Sequence, residues 1–254
     1  MLARRFKKYD NFLFDLDGTV WKWTKLIPGA IRLFQALKRE NKNIYFFTNN
    51  VILTRESFAR KLSNFGINAT ETQILNPSLP AIDLLQGNKV FVIGEGIITD
   101  LKKARIKIVS SNADAVFVST DRHVDYNKLE KASDFVRNGA EFYTNAKGGK
   151  WVYGDKIRVG AGALTKAIEE ASDKEAIVIG KPSYHMAKKI QELGLDKSKT
   201  LIIGDEMTDI IIGNRLKFDT ALVLTGIATK KDYNDSKGLN IPKYLLNSIS
   251  DIIS

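Results

Sequence analysis

Two aspartates, Asp15 and Asp17, stand one residue apart at the end of an apolar run, in the stretch FLFDLDGTVW at residues 12–21. A carboxylate inside a buried strand would carry a large desolvation penalty, so both acids are expected at or beyond the strand's end. Two carboxylates placed there can divide the work of a nucleophile and a general acid. Taken alone, the DLDG segment is also typical of a simple turn, because Asp and Gly are common turn residues.

Polar residues also end three other apolar runs. They are Thr48-Asn49-Asn50 after NIYFF, Lys181 after AIVIG, and Asp205-Glu206 after TLIIG. In parallel sheets, ligands bind at the carboxyl ends of the strands, so these side chains are expected to meet at one edge. Gathered carboxylates favour a hard cation such as Mg²⁺, whereas hydroxyl, amide and ammonium donors favour an anion such as phosphate. The combination indicates phosphoryl transfer, and Gly18 would let the backbone turn sharply beside the phosphate.

Apolar strands alternate with amphipathic helices near both ends of the chain. The predicted strands cover residues 11–17, 43–48, 176–180, 200–204 and 220–225, and the predicted helices cover residues 29–40, 54–65, 183–193 and a stretch ending near residue 216. Strands and helices in alternation are typical of a parallel sheet with helices on both faces. We therefore predict an α/β fold built on a doubly wound parallel sheet.

The middle of the chain carries strands of its own. The runs NKVFVIG, ADAVFVST and AEFYTN alternate there with helical stretches near residues 96–104 and 126–137. No low-complexity linker marks either end of this section. The economical interpretation is an α/β cap domain inserted into the core. The predicted division is a core of residues 1–76 and 174–254 and a cap of residues 77–173.

Composition narrows the class of protein. The 254 residues are 44% hydrophobic and 27% charged, and cysteine is absent, which leaves oxygen, hydroxyl, histidine and lysine chemistry. The N-terminus lacks a signal-peptide pattern and no segment reaches the length of a membrane span, so a cytoplasmic protein is expected. The net charge of +10 comes from scattered lysines, which favours a solvated basic surface and no nucleic-acid or membrane partner. A non-enzymatic nucleic-acid or anion-binding protein is the alternative; its binding would depend steeply on salt.

Four short motifs with polar residues occur in a fixed order along the chain. They are DLDGTVW at 15–21, TNN at 48–50, GKPS at 180–183 and GDEMTD at 204–209. In this order they resemble the motifs of the haloacid dehalogenase (HAD) superfamily, and nearest its branch of NagD-like and 4-nitrophenyl phosphatases, whose cap lies between the second and third motifs. Further segments are similar to that branch's cap and its return to the core: TDRHVDY at 120–126, NGAEFYTN at 138–145 and VGAGAL at 159–164.

The resemblance implies roles for the acids. Asp15 would be the aspartyl-phosphate nucleophile and a ligand of Mg²⁺. Asp17 would be the general acid and base, with its backbone carbonyl on the metal. Asp205 would complete the metal site. Asp209 lies one helical turn after Asp205 and would support the site from outside the set of ligands.

The resemblance also implies a phosphate site. Thr48 and the Asn49 amide would hold the phosphoryl oxygens, Asn50 and Gly18 would line the same site, and Lys181 would neutralise the phosphate and the Asp15 carboxylate. Some residues depart from the family's pattern without removing a catalytic group. They are Val51 in place of a frequent Ser, Lys147 in place of an acidic residue, and Glu206 in place of a frequent Arg.

The implied activity is a Mg²⁺-dependent phosphatase that hydrolyses small phosphate monoesters through an aspartyl-phosphate. Alternatives are a narrow phosphoglycolate, nucleotide or sugar phosphatase, a phosphotransferase, and a dehalogenase that would need no metal. The implied partner is a small phosphorylated metabolite, and cap surfaces in some relatives suggest a homodimer. The cap residues His123, Lys147, Lys150 and Trp151 could line the substrate's entrance or serve only structure and solvation, and His185 is expected to be structural.

Overall fold

The computed structural model describes residues 1–153 and 156–254. In these residues the strands are β1 (Asn11–Phe14), β2 (Trp21–Lys22), β3 (Lys25–Leu26), β4 (Asn43–Phe47), β5 (Ile74–Leu75), β6 (Lys89–Ile93), β7 (Lys107–Ile108), β8 (Ala115–Val118), β9 (Glu141–Thr144), β10 (Lys150–Tyr153), β11 (Lys156–Val159), β12 (Ile177–Val178), β13 (Thr200–Gly204), β14 (Asp219–Val223) and β15 (Tyr244–Leu246). The α-helices are α1 (Ala30–Arg39), α2 (Arg55–Asn64), α3 (Ser78–Leu85), α4 (Gly96–Lys103), α5 (Tyr126–Arg137), α6 (Ala161–Ser172), α7 (Tyr184–Gln191), α8 (Met207–Arg215) and α9 (Lys230–Asn234). None of these helices is long and apolar enough to cross a membrane.

The chain forms two compact units. The first comprises Met1–Thr48, Phe58–Leu75 and Ala187–Ser254. Its main sheet has the strand order β15-β14-β13-β1-β4-β5, and every neighbouring pair runs parallel. The central strands β1 and β13 are buried along their whole length. Burial on both faces is the reason these strands read as continuous apolar runs in the sequence.

Helices cover both faces of this first sheet. On one face, Phe34 of α1 packs edge-on against Phe14 of β1, with ring centroids 5.0 Å apart. On the other face, Ile210 of α8 shares an apolar cluster with Leu222 of β14. Each buried aromatic or aliphatic side chain of this kind contributes about 1.5–3 kcal/mol to folding. The predicted α/β class with a doubly wound parallel sheet is confirmed.

The second unit comprises Asn49–Ser57 and Asn76–Met186. It contains its own parallel sheet, with the strand order β12-β9-β8-β6-β7, and an antiparallel hairpin of β10 and β11. Neighbouring residues of β8 point into different apolar clusters: Phe117 packs with Leu101 of α4, and Val116 packs with Ile168 of α6. This unit is therefore also a sheet between layers of helix.

One strand lies in a different sheet from the one predicted. The run at 176–180 was assigned to the core sheet, but Ile177 and Val178 pair in parallel with Tyr143 and Thr144 of β9 in the second unit. An apolar run predicts a strand but does not specify which sheet edge will accept it. The division into core 1–76 and 174–254 and cap 77–173 stays a prediction, because compactness alone does not identify which segments fold as core and cap.

Candidate active site

The carboxyl ends of three adjacent strands in the first unit carry buried polar residues. Asp15 directly follows β1, Thr48 follows β4, and Asp205 follows β13; all three are buried. The Asp15 backbone N–H donates to the carbonyl of Ile203 at 2.8 Å, and the Thr48 N–H donates to the carbonyl of Leu75 at 2.9 Å. These bonds extend the sheet's ladder by one residue and fix each functional side chain at the same edge.

Three carboxylates meet at this edge. Asp15, Asp205 and Asp209 each place an oxygen within 4.8 Å of the other two, and all three residues are buried. Buried like charges at this distance repel unless a cation or protons neutralise them. The donors are all oxygen, which is the set that Mg²⁺ or another hard cation prefers. The cluster therefore fits a divalent metal.

Asp205 is held rigidly in this cluster. Its Oδ1 accepts a hydrogen bond from Thr19 Oγ1 at 3.2 Å, and its Oδ2 accepts from the backbone N–H of Ile227 at 2.8 Å. Two glycines make room for it: a Cβ at Gly18 or at Gly226 would lie 2.4 Å or 1.7 Å from Asp205 Oδ2. The close approach of the Asp205 carboxylate requires glycine at both positions, and Gly18 also has a positive φ of 89°.

Asp209 lies in the first turn of α8. Its Oδ2 accepts a hydrogen bond from the backbone N–H of Glu206 at 3.0 Å, which caps the helix. A Cβ at Gly204 would lie 2.1 Å from the same oxygen, so glycine is required here as well. The capping bond leaves the carboxylate within the three-acid cluster. Its predicted role as a support outside the metal's ligands stays a prediction.

Asp17 differs from the three clustered acids because it is exposed. Its Oδ1 accepts a hydrogen bond from the indole N–H of Trp21 at 2.8 Å. The loop between them is tight: the Gly18 N–H donates to the Trp21 carbonyl at 2.7 Å, with Gly18 at a positive φ of 89°. Thr225 Oγ1 donates to the Gly18 carbonyl at 2.6 Å. The second acid thus faces outward from an immobilised loop.

The remaining predicted site residues, Asn49, Asn50 and Lys181, lie in the second unit. The Asn49 side chain binds the backbone of Lys181 twice: its Oδ1 accepts from the Lys181 N–H at 2.6 Å, and its Nδ2 donates to the Lys181 carbonyl at 3.1 Å. Asn145 Nδ2 in turn donates to the Asn49 carbonyl at 2.8 Å. Lys181 is buried. The Asn49 side chain therefore positions Lys181, and the predicted approach of Lys181 to Asp15 stays a prediction.

The other predicted residues of the second unit have local partners. Asn50 Oδ1 accepts from the Ile52 N–H at 2.9 Å. His123 is exposed, and its backbone N–H donates to Asp121 Oδ1 at 2.7 Å. Lys147 and Lys150 are exposed, and the half-buried Trp151 donates its indole N–H to the Val159 carbonyl at 3.1 Å. His185 is half-buried beside Tyr184, with ring centroids 6.0 Å apart.

Sequence reasoning missed several supporting residues. They are Trp21, Thr225 and Gly226 in the first unit and Asn145 in the second. Trp21 sits inside the DLDGTVW motif, and Asn145 ends the NGAEFYTN segment, so both occur in stretches that the family resemblance had already marked. Thr225 and Gly226 lie at the carboxyl end of an apolar strand. In a parallel sheet this position alone indicates that they lie near a binding site.

Comparison with known proteins agrees with this geometry. Residues 12–107 match the family model described as haloacid dehalogenase-like hydrolase, and residues 178–252 match the one described as HAD-hydrolase-like. The chain is 32% identical to phosphoglycolate phosphatase 2 of Arabidopsis thaliana, over 98% of this chain and 93% of the relative. It is also 32% identical to the 5'-nucleotidase YutF of Bacillus subtilis, over 97% and 98% of the two chains.

Solved structures give the same answer. NagD from Escherichia coli K-12 superimposes with a TM-score of 0.86 at 26% identity, over 96% of this chain and 98% of NagD. The two relatives are phosphatases, and each match covers almost the full length of both chains, so the chain is a hydrolase that acts on phosphate monoesters. The alternative of a non-enzymatic binding protein finds no support among these relatives. The chain belongs to the haloacid dehalogenase superfamily, in its NagD-like branch.

Proposed function

We propose that the protein is a Mg²⁺-dependent phosphatase that hydrolyses small phosphate monoesters through an aspartyl-phosphate on Asp15. The observation that carries this proposal is the buried cluster of Asp15, Asp205 and Asp209, with the exposed Asp17 two residues from the first of them. Covalent catalysis needs a carboxylate that is fixed and charge-compensated, and a second one that can reach the leaving group and solvent. The burial of one acid and the exposure of the other match these requirements.

In the first half of the reaction, an Asp15 carboxylate oxygen attacks phosphorus as the bond from phosphorus to the ester oxygen breaks. Asp17 gives its proton to that ester oxygen, and the alcohol leaves. In the second half, Asp17 takes a proton from water, the water oxygen attacks phosphorus, and the bond from phosphorus to Asp15 breaks. Inorganic phosphate is released, and both aspartates return to their starting states.

Asp15, Asp205 and the Asp17 carbonyl would hold the metal, with Asp209 in support. When bound, Mg²⁺ supplies positive charge that offsets the carboxylates and the phosphoryl group. Thr48, Gly18, the Asn49 backbone N–H and Asn50 would surround the phosphoryl oxygens, and Lys181 would add a second positive charge. The cap of residues 77–173 would close over the core to exclude water and to select the alcohol.

Two narrower substrates have specific support among the relatives. The Arabidopsis relative is named for phosphoglycolate, and the Bacillus relative is named as a 5'-nucleotidase. Phosphoglycolate and 5'-nucleotides are both phosphate monoesters of polar alcohols, and the proposed reaction at Asp15 is the same for each. A cytoplasmic location and a homodimer are part of the proposal as well.

The test is phosphate release from a panel that contains 4-nitrophenyl phosphate, phosphoglycolate, nucleoside monophosphates and sugar phosphates, each with Mg²⁺ and with chelator. We expect turnover that the chelator abolishes. Asp15→Asn should reduce kcat by at least about 10⁴-fold, because no other group replaces the nucleophile. Asp235→Asn, which changes an exposed aspartate of the same unit, is the matched control. Turnover by a folded Asp15→Asn variant, or turnover in chelator, would contradict the mechanism.

A further inference from the structure

The indole of Trp21 lies in the apolar core of the first unit and makes a hydrogen bond to the exposed Asp17. The side chain is fully buried, with 0% of its surface exposed. Its N–H donates to Asp17 Oδ1 at 2.8 Å, and Asp17 itself is exposed. A buried indole N–H must find an acceptor, and here the acceptor is the group that handles protons in the proposed function.

Helix α2 and the residue that follows it immobilise this indole. The ring of Phe58 lies nearly parallel to the Trp21 ring, at 9° and 6.4 Å between centroids, and the Phe65 ring lies 6.0 Å away. Lys61 places its Nζ 3.9 Å from the centroid of the Trp21 ring. Positions 58, 61 and 65 recur at helical spacing and present one face to the indole.

Lys61 is itself anchored. Its Nζ donates to the Trp23 carbonyl at 3.1 Å, which holds the ammonium over the ring. Burial lowers the pKa of Lys61, and the negative charge of Asp17 opposes that shift. A cation on the face of an aromatic ring is attracted by the ring's quadrupole, so the Lys61 ammonium helps to hold the Trp21 ring in place.

We propose that Trp21 and Lys61 are positioning residues for the general acid: the indole N–H holds the Asp17 carboxyl in the orientation that delivers a proton to the leaving oxygen, and the ammonium holds the indole. This inference rests on the proposed role of Asp17. Neither residue is assigned a contact with the substrate, and both act through Asp17. Their contribution follows from the geometry of the Asp17–Trp21 hydrogen bond and from the stacking that fixes it.

The dependence on the leaving group tests this role. A nitrophenolate leaves phosphorus without a proton, whereas an alkoxide needs one, so a misplaced acid should harm alkyl phosphates far more than aryl phosphates. Trp21→Phe keeps the ring stack and removes the N–H. We expect it to lower kcat/KM for alkyl phosphates by about 10²-fold and for 4-nitrophenyl phosphate by less than about 3-fold.

Further variants separate positioning from folding. Lys61→Met keeps the apolar stem and removes the charge. It should lower kcat/KM for alkyl phosphates, relative to 4-nitrophenyl phosphate, by about 10-fold, and Lys61→Arg should restore the wild-type ratio. Trp23→Phe is the matched control, because it retains the backbone carbonyl that binds Lys61. The indole ¹H–¹⁵N resonance of Trp21 should move in the Asp17→Asn variant and give a direct readout of the contact, independent of turnover.

The outcomes are distinguishable. If the wild-type protein turns over no ester, the proposed function fails, and this inference fails with it. If the wild-type protein is active but Trp21→Phe and Lys61→Met lose the same factor for every leaving group, or lose nothing, only the positioning role is overturned. An indole resonance that is indifferent to Asp17→Asn would also contradict it. A steeper dependence on the leaving group in both variants supports it.

Discussion

The two parallel sheets of this protein share an architecture and differ in what their carboxyl ends carry. In the first unit, strand ends present the buried acids Asp15 and Asp205, and glycines give Asp205 space. In the second unit, the buried residues that follow β8 and β9 are the neutral Ser119 and Asn145, and the buried residue that follows the run 176–180 is Lys181. A sheet edge is only a place where side chains can converge; the residue types that follow each strand determine the chemistry.

Neutral amides at the sheet edge of the second unit hold the backbone of Lys181. Asn145 binds the carbonyl of Asn49, and Asn49 binds both the N–H and the carbonyl of Lys181. A charged group in place of Asn145 would sit in a buried environment, with 6% of the residue exposed at present. The amide positions another residue at little electrostatic cost. One edge thus gathers buried carboxylates, and the other fixes the backbone of a lysine through neutral amides.

The largest effect should come from removing a charge at the acidic edge. Asp205→Asn keeps the side chain's shape, and we expect it to lower kcat by about 10²–10³-fold and to abolish the rise in Tm that the proposed Mg²⁺ binding should give the wild-type protein. Steady-state kinetics and thermal unfolding with Mg²⁺ or chelator measure both. Asp219→Asn, at the opposite end of the same sheet, is the control and should keep both properties. Wild-type kcat in Asp205→Asn would remove the distinction between the two sheets.

A smaller effect should follow from removing the amides that hold Lys181 in the second unit. Asn49→Ala removes both hydrogen bonds to the Lys181 backbone, and we expect it to lower kcat by about 10²-fold; Asn145→Ala acts one step further away and should cost about 10-fold. Binding of orthovanadate, measured by inhibition, should weaken in parallel because the proposed phosphate site includes Lys181. Asn127→Ala, an exposed substitution in the same unit, is the control. Loss of Mg²⁺ affinity instead would contradict a purely positioning role.

The acids at the edge of the first sheet were largely predictable from the sequence, but the hydrogen bonds that position other residues were not. Asp15 and Asp205 directly follow apolar runs, a local pattern that depends on strand burial alone, and Asp209 was indicated by the GDEMTD motif of the family resemblance. Trp21 and Asn145 act through hydrogen bonds whose partners are set by loop closure and by tertiary packing. Asn145, for example, lies 96 residues from Asn49. No periodicity encodes such a pair.

The same limit explains the misplaced strand. The run around Ile177 has the composition of any buried parallel strand, and its pairing with Tyr143 depends on which sheet edge is free in the folded unit. Strand existence is a local property of side-chain pattern, whereas strand partnership is a property of topology. Motif order was therefore a better guide to function than the predicted sheet membership of each motif.

The smallest effect is expected at the opposite edge of the first sheet, where a carboxylate serves stability alone. Asp219 begins β14, and its Oδ2 accepts hydrogen bonds from Tyr9 Oη at 2.6 Å, Lys243 Nζ at 2.7 Å and Lys8 Nζ at 3.4 Å. Burial by itself would raise the pKa of Asp219, but the hydrogen bonds from Lys243 and Tyr9 outweigh it and hold the pKa below its ordinary value. Asp219→Asn should reduce the free energy of unfolding by about 1–2 kcal/mol near neutral pH, without changing kcat.

The stabilisation by Asp219 should depend on pH, because the pKa of its carboxyl is lower in the folded protein. A carboxyl whose pKa is lower in the folded state stabilises the protein above its unfolded pKa, which is about 3.9 for Asp, and that contribution is lost as pH falls toward the folded value. Denaturant unfolding of the wild-type protein and of Asp219→Asn should therefore differ most at neutral pH and converge below about pH 4. A difference that persists unchanged into acid would mean that Asp219 stabilises the sheet by packing, and the contrast between a catalytic edge and a structural edge would then not rest on charge.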